Sequence, residues 1–189
     1  MKKIICGFAL LVAAAASISA CSGGGSASAA PSATPVVPSP VPPVISTPLG
    51  TLPPEPNRAA NNATLAGIDT TGTGVRDDVH RLIFNTYTST VKRKIGMAVA
   101  KGNRGIFLTP PQTTAEARAV RGPWSRAEDC LWSRDDISVQ EASSFSRMIE
   151  AAHIDTGARM KAYKNYNHLL HGEGFNDTSN KNSCAEVLK

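Results

Sequence analysis

The sequence predicts an all-α domain of four or five helices, bundle-like, over residues 57–189. Three observations carry this. Apolar residues recur at steps of three and four along four stretches, the spacing that places them on one helical face. Two of those stretches open on Ser/Thr-x-x-Glu, at Thr113–Glu116 and Ser138–Glu141, the reciprocal capping box of a helix N-terminus. No run alternates apolar and polar residues over a length that would suit a strand.

The first predicted helix runs from about Asp77 to Ala100. Val79, Leu82, Ile83, Tyr87, Val91, Ile95 and Ala98 form its apolar face, which drifts where Thr86, Thr88, Ser89 and Thr90 lower helix propensity. Gly102 to Pro111 is expected to break the chain. The second helix starts at Thr113 and carries Ala117, Val120, Trp124, Ala127 and Leu131; Gly122-Pro123 inside it predicts a kink or two separate helices. The third starts at Ser138 and has the cleanest stripe of the chain: Ala142, Phe145, Met148, Ile149 and Ala152. The fourth runs from Gly157 to Leu170, with Thr156 as its cap and Gly172 as its stop. Short connections favour antiparallel neighbours.

Ahead of the domain stand two segments of different composition. Met1-Lys2-Lys3 is followed by an uncharged apolar run, Ile4 to Ala16, and then by small residues. This is the grammar of a secretory signal peptide, and the run is shorter than the ~20 residues a membrane-spanning helix needs. Ile18-Ser19-Ala20-Cys21 resembles a bacterial lipobox. The resemblance implies cleavage before Cys21, acylation of the Cys21 thiol and of the new amine, and stable anchoring by more than one chain. Residues 1–20 are then the signal peptide. Ser22 in place of Asp implies, by resemblance to Gram-negative lipoproteins, release to the outer membrane. Residues 21–56 read as the lipidated cysteine and a disordered linker that holds ten of the chain's thirteen prolines and only one charge, Glu55. Proline fixes φ and removes backbone donors, so a spacer of polyproline-II character is expected there, with a docking site for a proline-recognising partner as the alternative.

Loss of Lys2 and Lys3 with the signal lowers the formal charge from +5 to +3. Acids and bases are interspersed, and no Lys/Arg block argues for nucleic acid. Lys92-Arg93-Lys94 is the densest basic cluster. It reads as a solvated helix face, or alternatively as a contact for anionic lipid or cell wall. Cys6 leaves with the signal and Cys21 is lipidated, which leaves Cys130 and Cys184. In an oxidising compartment such a pair is most simply a disulfide; two free thiols or a redox pair is the other reading.

Asp69 to His80 follows the frame of a twelve-residue calcium loop. Asp69, Thr71, Thr73, Val75 and Asp77 fall on the first, third, fifth, seventh and ninth positions, with Gly74 at the turn. Hydroxyls replace two carboxylates and His80 replaces the final acid, so the loop is a degenerate calcium site. It otherwise serves as a lead-in, with Asp77 or a neighbour capping the next helix. Gly67, Asp69, Gly74, Asp77 and Asp78 resemble an Asp-rich GxDxDxDGxxDDxE-like loop found in a group of uncharacterised bacterial secreted proteins and lipoproteins, where it leads into an all-helical domain; Thr71, Thr73 and His80 depart from it. Asp155 to Arg159 with Ala162-Tyr163 and Tyr166-Asn167 is similar to a second pattern of that group, NTxxRxxAYxxYN. The group has no known activity, so the resemblance bears on fold more than on function.

Other candidates for chemistry are weaker. His168 and His171 share a helical face near Glu173, with His80 and His153 elsewhere; two histidines need a third ligand to hold zinc. Glu128, Asp129, Asp135 and Asp136 flank Trp132, and paired acids beside an aromatic could serve glycoside hydrolysis. The histidines read more simply as residues near a helix C-terminus, where positive charge suits the dipole, and the acids as solvated helix surface. No phosphate-binding glycine loop or nucleophile elbow occurs. The expectation is a lipid-anchored cell-envelope protein acting as a non-enzymatic binding or structural module, with an envelope protein or peptidoglycan as partner. The alternative is a lipid-anchored envelope hydrolase with a site built from dispersed Asp, Glu and His.

Overall fold

A computed structural model describes residues 45–47, 50–174 and 182–189. The predicted signal peptide, Cys21 and the linker up to residue 44 lie outside the described residues. A short antiparallel ribbon, β1 (Ile45–Thr47) and β2 (Gly50–Leu52), sets Ile45 opposite Leu52. Helices follow: α1 (Arg58–Asn62), α2 (Asp77–Thr86), α3 (Thr90–Leu108), α4 (Thr114–Trp132), α5 (Val139–His153), α6 (Gly157–Leu169) and α7 (Ser183–Val187). The domain is all-α, as its periodicity predicts. α1 and α7 are single turns, too short to show a periodic stripe. No described helix is long and apolar enough to cross a membrane.

α3 is the spine, packing against α2, α4, α5, α6 and α7. Its first half presents Ile95, Val99 and Ala100 to Val79, Ile83, Phe145, Ile149, Leu131 and Ala127 in the main core. Its last turns place Ile106 and Phe107 with Ala117, Tyr166 and Leu170 in a second core. Trp124 packs against both.

The expected single helix from Asp77 to Ala100 is two helices. Tyr87 is extended (φ −117°, ψ 131°), and Ser89 caps α3 by accepting the Lys92 N–H. Thr86 turns its hydroxyl back onto the Leu82 carbonyl at 2.8 Å, and the Thr/Ser run offers the backbone these local bonds in place of the helical ladder. Arg93 seals the joint: it donates to the carbonyls of Tyr87 and Phe84 and lies over the Phe84 ring at 4.7 Å.

The expected break at Gly102 is absent, and α3 continues to Leu108. A Cβ on Gly102 would fall 2.5 Å from the Trp124 Cα, so this glycine is where the α4 backbone crosses α3. Gly96 does the same for Ile83 and Phe145, with 2.9 and 3.0 Å to their side-chain atoms. α4 runs unbroken through Pro123; Gly122 carries no Cβ to meet the proline ring, which relieves the pre-proline bias against helical backbone. The Thr113–Glu116 capping box forms in both directions. At Ser138 only half of one forms: Ser138 accepts the Glu141 N–H, while the Glu141 carboxylate goes to Lys92. Lys94 donates to the Leu188 carbonyl, so all three residues of the basic cluster 92–94 bind within the domain.

Leu52 and Pro53, at the end of the stretch read as linker, are buried. Arg81 of α2 donates to the Pro53 carbonyl at 2.7 Å and pairs with Glu55 at 2.6 Å. The packed domain therefore begins before Asn57, because an apolar side chain and a lone acid in that stretch find partners on α2.

Cys130 and Cys184 are joined, with sulfurs 2.04 Å apart and a sequence separation of 54. The bond ties α7 to the end of α4, the pairing expected from the leftover cysteines. Reducing it is expected to lower unfolding stability by on the order of 3–4 kcal/mol, the chain entropy of a loop of that length, read from denaturant melts with and without dithiothreitol. Gly102→Ala is expected to cost about 1–3 kcal/mol through overpacking against Trp124, seen as a lower denaturation midpoint at an unchanged slope.

Candidate functional site

The polar residues of the domain converge where the segment from Asn61 to Arg76 lies on the ends of α3, α5 and α6. That segment forms no regular structure after α1, so its carbonyls need partners from elsewhere. Two arginines, Arg159 and Arg104, supply them, and a third, Arg76, fastens the segment to α5. Arg159 of α6 has its guanidinium fully buried and donates to the carbonyls of Asn61, Thr64 and Leu65 at 2.6–3.0 Å, to Asn62 Oδ1 and to Asp155 at 2.7 Å. Arg76 donates to the Ala152 carbonyl at 2.6 Å and pairs with Asp78 at 2.6 Å and Asp155 at 3.1 Å. Arg104 of α3 reaches the Ala66 carbonyl at 3.2 Å and Asp69 at 2.7 Å.

The loop is closed by its own acids. Asp69 accepts the N–H groups of Thr73 and Gly74 at 3.2 and 2.9 Å. Thr71 lies 3.4 Å from Asp69 and 3.2 Å from Thr73, hydroxyl to oxygen. Asp77 turns the other way: Thr70 donates both its N–H and its hydroxyl to that carboxylate. Burial pushes the Asp77 carboxyl up and the Thr70 bonds pull it down. Val75 is buried in the main core. Asp78 accepts from Arg76, from Asn61 and from the Val79 N–H. The N-cap of α2 is Arg76, with no side-chain cap bond, so neither Asp77 nor Asp78 caps it. Gly67 sits at φ +65°, and a Cβ there would lie 2.3 Å from the Arg76 side chain. The left-handed backbone and the lack of a side chain are both required at that turn.

Two histidines are buried beside this network. His153, at the end of α5, stacks on Phe107 with ring centroids 5.9 Å apart, and its Nε2 has no hydrogen-bond partner. Burial first, and then the charges of Arg76, Arg104 and Arg159, push it down to about 3. It is neutral at pH 7, so it brings no charge to the helix C-terminus. His80 packs edge-on to Phe84 at 4.7 Å, and burial lowers its pKa as well.

The remaining candidates lie apart. His168 and His171 are exposed at the end of α6, and Glu173 pairs with Arg118. Glu128 accepts from the indoles of Trp124 and Trp132 at 3.1 and 2.9 Å and from Ser146 at 2.6 Å. Asp135 and Asp136 edge a shallow depression with Ser133, Arg134 and Cys184, and Asp136 pairs with Arg134. Among the described residues, no group of three or more His, Cys, Asp or Glu side chains is placed to hold a metal ion.

Sequence reading weighed the acids for chemistry and gave the arginines no role, Arg159 entering only as part of a resemblance. Their signal was present: Arg159 falls on the stripe of Tyr163 and Tyr166, and Arg104 sits between Ala100 and Phe107, so both occupy core-facing helical positions. Comparison with protein-family models, with curated proteins and with solved structures finds no match to this chain.

The buried histidines give a pH dependence of defined sign. Unfolded histidine binds a proton near pH 6.5, whereas native His153 does so only near pH 3. Between these values the unfolded state holds more protons, so stability is full above about pH 6.5 and is lost as pH falls. The expected slope from His153 approaches ~1.4 kcal/mol per pH unit. His153→Phe, which keeps a ring against Phe107, is expected to flatten the loss between pH 7 and 5 in denaturant melts.

Proposed function

We propose that this chain is a lipid-anchored cell-envelope protein whose helical domain is a non-enzymatic binding or structural module. The observation that carries the reading is Ile18-Ser19-Ala20-Cys21 directly ahead of a Gly/Ser- and Pro-rich stretch. Acyl chains on Cys21 attach the protein to the membrane, and Ser22 assigns it to the outer membrane of a Gram-negative cell. The Cys130–Cys184 bond supports an oxidising compartment. The use made of the polar residues supports a module over a hydrolase. Asp69, Asp77, Asp78 and Asp155 hold the Asn61–Arg76 segment in place, and Glu128 ties two tryptophans to Ser146. These acids hold the fold's own donors. The partner is an envelope protein or peptidoglycan.

Metabolic labelling with an alkyne-bearing fatty acid tests the anchor: the chain is expected to take up label, and Cys21→Ser to lose it and leave the membrane fraction. An unlabelled wild-type chain would overturn the assignment. In-cell crosslinking tests the module, with a reproducible envelope partner expected that disappears on deletion of residues 57–189.

A further inference from the structure

We propose that Arg104 takes the place of the cation in the Asp69–His80 loop, with Lys101 beside it, so that the loop holds its shape without calcium. The first half of the loop keeps the convergence a calcium loop needs. The side chains of Asp69, Thr71 and Thr73, at the first, third and fifth positions, approach one another within 3.2–3.4 Å. Gly74 turns the chain at φ +81° and donates its N–H to Asp69 at 2.9 Å.

The second half of the loop does not complete a cage. Asp77 is bound to Thr70, and His80 is buried against Phe84. One carboxylate and two hydroxyls fall short of the six to eight oxygens that calcium takes.

Positive charge comes instead from α3. The Arg104 guanidinium stands 2.7 Å from Asp69, and both side chains are about nine-tenths buried, at 9 and 11 % exposure. Its Nε is fastened to the Ala66 carbonyl, which fixes the group by two bonds in different directions. One turn earlier, the Lys101 side chain runs over Gly74, where a Cβ would meet its Cε at 3.0 Å. The Arg104 charge and the Lys101 methylene stem thus cover the turn that a calcium ion would share. A divalent ion at Asp69 would face a fixed guanidinium whose own bonds it would have to break. The charge that closes the loop is covalently part of the fold, and the loop does not respond to divalent cations in the envelope.

The test uses the full-length protein in detergent. Its melting temperature is expected to be the same, within about 1 °C, in millimolar calcium and in EDTA. A calcium-dependent rise of several degrees would overturn the proposal. Arg104→Met is expected to lower the melting temperature on the order of 5–10 °C, from loss of a buried charge-assisted bond, and to speed hydrogen exchange at the Thr73 and Gly74 amides. Arg104→Lys, which keeps the charge, is expected to retain most of that protection and serves if the methionine variant does not fold. Unchanged exchange at Thr73 and Gly74 in both variants would sink the assignment.

Discussion

A guanidinium can be withdrawn from water only if its donors and its charge are both met, and the fold of this domain turns on meeting that condition three times. Arg159 is fully buried, Arg76 nearly so, and Arg104 is buried to about nine-tenths. Taking such a group out of water costs several kcal/mol, recovered only with good geometry and satisfied donors. The planar fork of arginine is suited to this, because it can serve a carboxylate and several carbonyls at once. Arg159 does so with Asp155 on one side and three loop carbonyls on the other. Asp155 is shared with Arg76, and Arg76 with Asp78. Removing one member leaves the others as uncompensated buried charge. The network therefore acts as one unit, and its members do not contribute separately.

The network also explains how an irregular segment can sit against a helical core. The stretch from Ala63 to Arg76 gives the cores only Val75 and the partly buried Leu65, yet it carries backbone groups that water cannot fully reach. α3, α5 and α6 each send one feature to it: Arg104, the Ala152 carbonyl and Arg159. In return Arg76 and Asp78 set the start of α2, whose Val79 and Ile83 complete the main core. Helix packing and loop closure are thus mutually dependent, and α3 mediates both. Its Gly96 and Gly102 admit the neighbouring helices, and two turns away from Gly96 its Arg104 holds the loop.

What could be read in the sequence follows from range. Capping and periodicity are local, so α5, α6 and the start of α4 stand where Ser138, Thr156 and Thr113 place them. Gly102 reads locally as a breaker, and only the approach of Trp124 across the interface shows why it is helical. The second capping box fails for a similar reason: Lys92, 49 residues away, takes Glu141. In the candidate site, the acids were legible as a loop pattern because they lie close in sequence. The partners that decide their chemistry were not, since Arg104 is 35 residues from Asp69 and Arg159 is 94 from the Leu65 carbonyl. A polar residue on a helix's core stripe is the one local trace of such a network.

The two ends of the described domain are fastened in different ways. Leu52 and Pro53 are buried, and Arg81 holds Pro53 and Glu55 onto α2. Arg81 lies one turn from Asp77 and Asp78, at the end of α2 that carries the arginine network. The N-terminal end of the domain is held by a two-bond clip on a helix, and behind that clip stands a set of short-range, charge-assisted bonds. The far end of the domain is closed differently, by a covalent link from Cys130 to Cys184 together with Lys94 on the Leu188 carbonyl. Both ends of the described chain are therefore secured to long helices of the bundle. Both fastenings lead back to α2 and α4, which pack on α3, and the rest of the fold depends on that packing.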